Sequence, residues 1–259
     1  MTHFSWLDYG VFGAYLAASV TVGLLSARGA KSLGDYFLAG RGMGSVPVGI
    51  SILAALFSGI SFLAGPADVY RNGLAFAYVM LAFFIATPFA TIYMLPRFCQ
   101  ARYVTAYQFL EERFSLPARL LASGLFILRV CLWLAAATYA PALALEKVTG
   151  LPLWITILAS GSLTTLYTAL GGMRAVIWTD VMQLSVLFGG QLMIVLVALG
   201  RIPDGLSGMW KTVVADGRME LSFSFDLSER VNLWAVVLAG TFLHLVQMAT
   251  DQVSVQRYL

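Results

Sequence analysis

Charge is the scarcest ingredient of this sequence. Only 11% of its 259 residues are Asp, Glu, Lys or Arg, against 59% hydrophobic, and the mean hydropathy is +0.82. A soluble domain carries about 25% charged residues. A water-soluble chain of this length could bury a good core, but its surface would still need charge. The bilayer is the solvent that fits. The sequence predicts a multi-spanning, all-α integral membrane protein.

Other scarcities exclude whole function classes. There are two histidines, His3 and His244, in different environments. No Ser-His-Asp cluster, zinc spacing or phosphate loop is visible. The Gly pairs at 171–172 and 189–190 are too weak to read as a phosphate cradle. Neither an enzyme nor a resident cofactor is expected. Cys99 and Cys131 have no metal-ligand spacing and read as free thiols. The net charge of +3 gives no nucleic-acid footprint. No Lys or Arg precedes the first apolar run, so the basic start of a signal peptide is missing and the first span is expected to be kept.

What is present is a set of long apolar runs. Charge-free stretches cover 9–27, 42–67, 72–96, 148–173, 181–200 and 231–250, and 120–145 is broken only by Arg129. About 20 residues cross the hydrocarbon core as a helix. About seven transmembrane helices are therefore expected. A β-barrel would show strands of about ten residues with alternating polarity. The positive-inside rule sets orientation. With the N-terminus outside, the inner connectors carry Arg28, Lys31, Arg41, Arg97, Arg102, Arg113, Arg119, Arg174 and Arg257. The short outer connectors carry only Arg71 and Lys147.

Two connectors have structure of their own. Thr105 and Gln108 have capping-box spacing, which predicts a short interfacial helix over 105–114. The loop 201–230 mixes Trp210, Met219, Leu221 and Phe223 with charges. That pattern predicts a short amphipathic helix on the outer surface.

Several spans are irregular. The second holds Ser58, Gly59 and Ser61 at mid-depth and then Gly65-Pro66. A broken helix there would free backbone groups to bind ions and solute, and a small-residue packing face is the other reading. The seventh carries Gly240, His244, Gln247, Thr250, Asp251 and Gln252. His244 and Gln247 share a face at i, i+3; a packing role and a binding role are both open. Arg129 lies mid-span, where a cation costs at least ~2.5–3.5 kcal/mol. It reads either as a counter-charge for an anionic solute or as a structural or snorkelling cation, and Trp133 shares its face. Asp180 is either a solvated end residue or a cation station on an exit path.

Four motifs carry a family resemblance: GDYFLAGRGMG (34–44), YAPALALEKVTG (139–150), YTALGGMRAVIWTDVMQ (167–183) and TDQVSVQRYL (250–259). Together they resemble the sodium:solute symporter family, over nearly the whole chain and in family order. The resemblance implies a five-plus-five inverted-repeat fold with one extra N-terminal helix. Residues 1–44 would be that helix and its connector, 45–200 the first repeat, 201–230 an extracellular loop and 231–259 the first helix of the second repeat. Spans two and seven would be the paired discontinuous helices.

The resemblance also implies residue roles. Sodium, as coupling ion, would be held by the backbone carbonyls of Ala54 and Phe57, with its other ligands on a helix absent from this chain. Asp180 would serve sodium coupling or release. Solute would lie near Ser58, Gly59, Ser61, Trp133, Gln247 and Arg129. The runs FLAGPADVYRNG and YAPALAL look most like the branch carrying monocarboxylates, vitamins, iodide and sialic acid, and LFSGIS differs from the sugar branch. Family members are about twice as long, so the chain reads as an N-terminal half, not competent alone. The expected function is sodium-coupled import of a small organic anion across the plasma (inner) membrane. The rivals are a membrane solute sensor, a channel and a proton-coupled carrier.

Overall fold

The computed structural model describes all residues except 1–3, 28–31, 74–77, 102, 104, 221–222, 227–231 and 259. Lys31 and Arg102, counted above among the inner cations, lie outside the described residues, as do Arg28 and Leu221. Among the described residues the chain is helical, with no strand. The elements are α1 (Trp6–Ala27), α2 (Leu33–Leu38), α3 (Ser45–Leu56), α4 (Gly59–Asn72), α5 (Tyr78–Phe89), α6 (Leu95–Ala101), α7 (Gln108–Arg113), α8 (Leu116–Thr149), α9 (Leu153–Arg201), α10 (Gly205–Ala215), α11 (Leu233–Thr250) and α12 (Gln252–Tyr258).

The expected seven spans become five helical segments long and apolar enough to cross a membrane. A sixth counts if Leu33–Arg41 and Ser45–Leu56, bent by 107°, form one span. Two physical causes account for the difference. The second run breaks after Leu56, so each half is short. The fifth and sixth runs follow one another without a gap in α9, whose 49 residues hold two helices joined at Gly172. Gly172 interrupts it with φ 60° and ψ −159°, a region essentially reserved for glycine.

Contacts divide the chain into two units. The first holds Met1–Ser61, Arg102–Leu184 and Gln252–Leu259. There, α1 approaches α9 through small residues: a Cβ on Gly23 would lie 2.7 Å from Tyr167 Cβ, and one on Gly171 would lie 2.7 Å from the Gly23 carbonyl oxygen. Tyr36 of α2 fills the space beside Gly172, and its hydroxyl donates to the Ala169 carbonyl at 2.9 Å. Between α2 and α3 the chain makes a left-handed turn, with φ of 52°, 66° and 53° at Ala39, Gly40 and Arg41. Such backbone costs an L-residue about 1–2 kcal/mol, so the sequence maintains strain at Ala39 and Arg41.

The second unit holds Phe62–Ala101 and Ser185–Asp251. Its centre is the packing of α5 on α11. Gly240 meets Ala82, where a Cβ would come within 2.9 Å. Phe83 stacks on His244 with ring centroids 3.6 Å apart. Pro88, inside α5, cannot donate to the preceding turn, and a wide turn at Ala90–Met94 follows it before α6. Asn232 caps α11: its Oδ1 accepts from the Ala235 N–H at 2.7 Å, and its Nδ2 donates to the Asp226 carbonyl at 2.7 Å.

The two structured connectors are present with different boundaries. The first helix is α7, shorter than 105–114. Gln108 Oε1 accepts from the Thr105 N–H at 3.2 Å, but the buried Thr105 Oγ1 has no hydrogen-bond partner among the described residues. Only one arm of the capping box forms. The second is α10, which ends before Met219 and Phe223.

Candidate functional site

The site is built first from a helix end. An α-helix leaves its last four carbonyls without an i+4 partner. In α3 these include Ala54, because Phe57 turns extended at φ −100° and ψ 134°. The Phe57 N–H donates back to the Leu53 and Ala54 carbonyls at 3.3 and 3.2 Å. A carbonyl has two lone pairs, so this end keeps acceptor capacity that a hard cation could use. Both residues expected to hold sodium thus lie at a real discontinuity.

α4 starts at Gly59, after a single unwound step. Ser58 Oγ accepts from the Ser61 N–H at 3.3 Å, and the two hydroxyls lie 3.3 Å apart. Ser58 therefore caps α4, and the pair sets two hydroxyls at the start of that helix. Gly59 lets this point approach α8, since a Cβ there would fall 2.7 Å from Pro141 Cγ. Ser58, Gly59 and Ser61 are brought together as a group.

A second cluster lies in the same unit. Asp180 of α9 is an ion-pair residue, which excludes the solvated-end reading. Arg257 Nη2 donates to Asp180 Oδ2 at 3.0 Å, with side chains only 8% and 16% exposed. Ser51 of α3, fully buried, completes the cluster. Its hydroxyl donates to Asp180 Oδ2 at 2.5 Å and accepts from Arg257 Nε at 2.8 Å. Ser51 and Ser58 are seven residues apart, so α3 connects this cluster to the break in two turns.

Two further bonds hold α12. Gln252 Oε1 accepts from the Ala106 N–H at 2.9 Å, and Gln256 Nε2 donates to the Phe37 carbonyl at 2.8 Å. α12 follows the second discontinuity, at Asp251, with φ −78° and ψ 113°. The second span is broken within its apolar run, whereas the seventh runs unbroken from Leu233 to Thr250 and the chain breaks only at its end. Sequence reasoning missed Ser51, and it counted Arg257 only as an inner charge. The signal for Arg257 was its place in TDQVSVQRYL, the motif that also holds the break. Nothing in the sequence points to Ser51, which needs the pairing of α3 with α9 and α12 to be seen.

Arg129 and Trp133 stand apart from this group. They lie on exposed faces of α8, and the Arg129 guanidinium sits 5.5 Å from the Phe126 ring. Arg129 is 12 residues before Pro141, about 18 Å along the helix. Trp133 is eight residues before it, about 12 Å. Neither is at the level where Gly59 touches α8. Gln247 belongs to the second unit, and its carbonyl accepts from the Asp251 N–H at 3.3 Å. His244 is occupied in ring packing with Phe83.

Comparison with known proteins agrees with these features. A sequence profile described as the sodium:solute symporter family matches residues 36–258. The sodium-dependent multivitamin transporter of Oryctolagus cuniculus is 35% identical over 260 residues, covering 99% of this chain and 41% of that protein. The sodium/iodide cotransporter of Homo sapiens is 35% identical over 256 residues, covering 97% of this chain and 40% of that protein. A solved structure of a Na+-coupled sialic acid symporter, substrate-bound and outward-open, superposes with a TM-score of 0.89 at 29% identity. It covers 98% of this chain and 54% of that one. This chain therefore spans about two-fifths of the curated relatives' length. These are multi-pass membrane transporters rather than enzymes, and the chain belongs to the sodium:solute symporter family.

Proposed function

We propose that this chain supplies the first repeat, and the opening helix of the second, to a sodium-coupled symporter that imports a small organic anion. The break after Leu56 carries the reading. It ends α3 at the Ala54 and Phe57 carbonyls and is followed at once by Ser58, whose hydroxyl lies 3.3 Å from that of Ser61. Carbonyl oxygens suit a hard cation, and hydroxyls suit a small polar solute. Sodium at the helix end would fix the unwound step and so pre-order Ser58, Gly59 and Ser61 for the solute. Each ligand then favours the same conformation, which is the thermodynamic content of coupling.

The repeats are assigned to 45–200 and 231–259, with 1–44 as the extra helix and 201–230 as an outer loop. The protein resides in the plasma (inner) membrane with its N-terminus outside. The anionic class rests on the relatives, since iodide and sialic acid are both anionic solutes. Arg129, with Trp133 on its face, is the candidate counter-charge, and Gln247 the contribution of the seventh span. Asp180 is assigned to sodium coupling.

Uptake by the full-length protein in proteoliposomes tests the reading. A short monocarboxylate should accumulate under an inward sodium gradient, and a neutral sugar should not. Accumulation of the sugar, or equal monocarboxylate uptake after sodium is replaced by choline, would reject it. Arg129→Gln should weaken anion affinity and leave sodium activation in place; unchanged affinity would make Arg129 structural.

A further inference from the structure

We propose that α10 is a membrane-surface anchor whose apolar face enters the lipid interface where α9 ends. The inference is independent of what the protein carries. On a helical wheel Leu206, Trp210 and Val214 form one stripe at i, i+4 and i+8. They are 66%, 56% and 51% exposed. Met209 and Val213 extend the same apolar arc and are half-buried, turned toward the protein. Lys211, Ala215, Gly208 and Thr212 make the opposite face, and Ser207 borders the stripe beside Val214. This is the pattern of a helix lying in an interface plane, with a tryptophan at headgroup depth and a lysine on the wet side.

The direction of the stripe is fixed at both ends. The Gly205 N–H donates to the Ile202 carbonyl at 2.9 Å, and Ser207 Oγ donates to the Asp204 carbonyl at 3.1 Å, so α10 follows α9 through one tight turn. Beyond its other end, Arg218 Nη1 donates to the Tyr70 carbonyl of α4, and its guanidinium lies 4.4 Å from the Tyr70 ring centroid. Gly73 meets the Arg218 backbone so closely that a Cβ would fall 2.6 Å from its carbonyl oxygen. A helix held at both ends cannot roll its apolar face inward.

Lipid is the occupant because the face follows directly on a segment long and apolar enough to cross a membrane. Leu192, Met193, Ile194, Val195, Leu196 and Val197 are all exposed around the last turns of α9, the end of a membrane-crossing segment. Only three residues, Ile202 to Asp204, separate the end of α9 from the start of α10. A helix that is apolar all round at this position is solvated by hydrocarbon. The stripe is its extension into the headgroup boundary.

A spin-label scan of the full-length, cysteine-depleted protein in liposomes tests this. Labels at Leu206→Cys and Val214→Cys should collide preferentially with oxygen. Labels at Lys211→Cys and Ala215→Cys should collide with a water-soluble nickel chelate. Trp210, read as the difference from Trp210→Phe, should be quenched by lipid brominated near the headgroup. Water access at 206 and 214, without bromolipid quenching of Trp210, would overturn the proposal. So would protection from both collision reagents, which would mean that another part of the protein or a second copy covers the stripe.

Discussion

Arg257 and Asp180 form a nearly buried ion pair, 3.0 Å apart, joined through the hydroxyl of Ser51. Three elements distant in sequence meet there: the first half of one broken span, the helix after Gly172, and the short helix after the second break. Taking one partner from a buried pair costs about 3–5 kcal/mol, because the other charge is left uncompensated. With 8% and 16% residual exposure, Asp180→Asn should cost ~3 kcal/mol, at the low end of that range. It should also shift the sodium-activation curve. Thermal unfolding in detergent and sodium titration of uptake check the two halves separately. An unchanged sodium curve with lower stability would leave the pair purely structural. The exchange Asp180→Arg with Arg257→Asp should recover part of the lost stability.

Gly172→Ala should be severely destabilising. The backbone at φ 60° and ψ −159° is closed to a Cβ, and that Cβ would also sit 2.7 Å from the Tyr36 carbonyl oxygen. Backbone strain alone accounts for about 1–3 kcal/mol. Tyr36→Ala in the same background should relieve only the ring contact. The melting temperatures of the single and double variants measure both terms.

Ala39→Gly should act in the opposite direction. Ala39 holds φ 52° in a left-handed turn. Relieving it returns about 1 kcal/mol, offset by the larger unfolded-state freedom of glycine, about 0.5–1 kcal/mol. The net expectation is an equal or slightly higher melting temperature. A clear fall would mean that the Ala39 methyl makes contacts worth more than the strain.

Gly59→Val should impair transport more than folding. The added side chain meets Pro141 Cγ, which a Cβ alone approaches to 2.7 Å. It would push the start of α4 from α8 and displace Ser58 and Ser61. The KM for solute should rise several-fold with near-normal expression, measured as initial uptake rates. An unchanged KM would separate the Ser58 to Ser61 group from solute binding.

Much of this was legible in the chain. Low charge and long apolar runs specify a membrane helical protein, because hydropathy needs no tertiary context. The weak point at Ser58-Gly59 could be marked because glycine and serine weaken a helix wherever they occur. The count of spans was less legible. Charge-free stretches show where a helix can lie, but they do not show that Leu56 ends one or that the next helix starts directly after the kink at Gly172. The ion cluster was half visible. Asp180 stands out as a charge at the edge of an apolar run, whereas Ser51 is an ordinary small residue until α3 meets α9 and α12. Arg129 stood out by its cost in lipid, yet its position along α8 depends on where α4 crosses it.

The most direct test concerns the break itself. Ser58→Cys, in a full-length background with every other cysteine, Cys99 and Cys131 included, replaced by serine, can be alkylated in vesicles under defined ions. If sodium binds the end of α3 and orders the unwound step, sodium should change the alkylation rate several-fold where choline and potassium do not. An anionic solute should then protect the thiol only when sodium is present. Equal rates in sodium and choline, with solute protection independent of the cation, would contradict sodium coupling at this site.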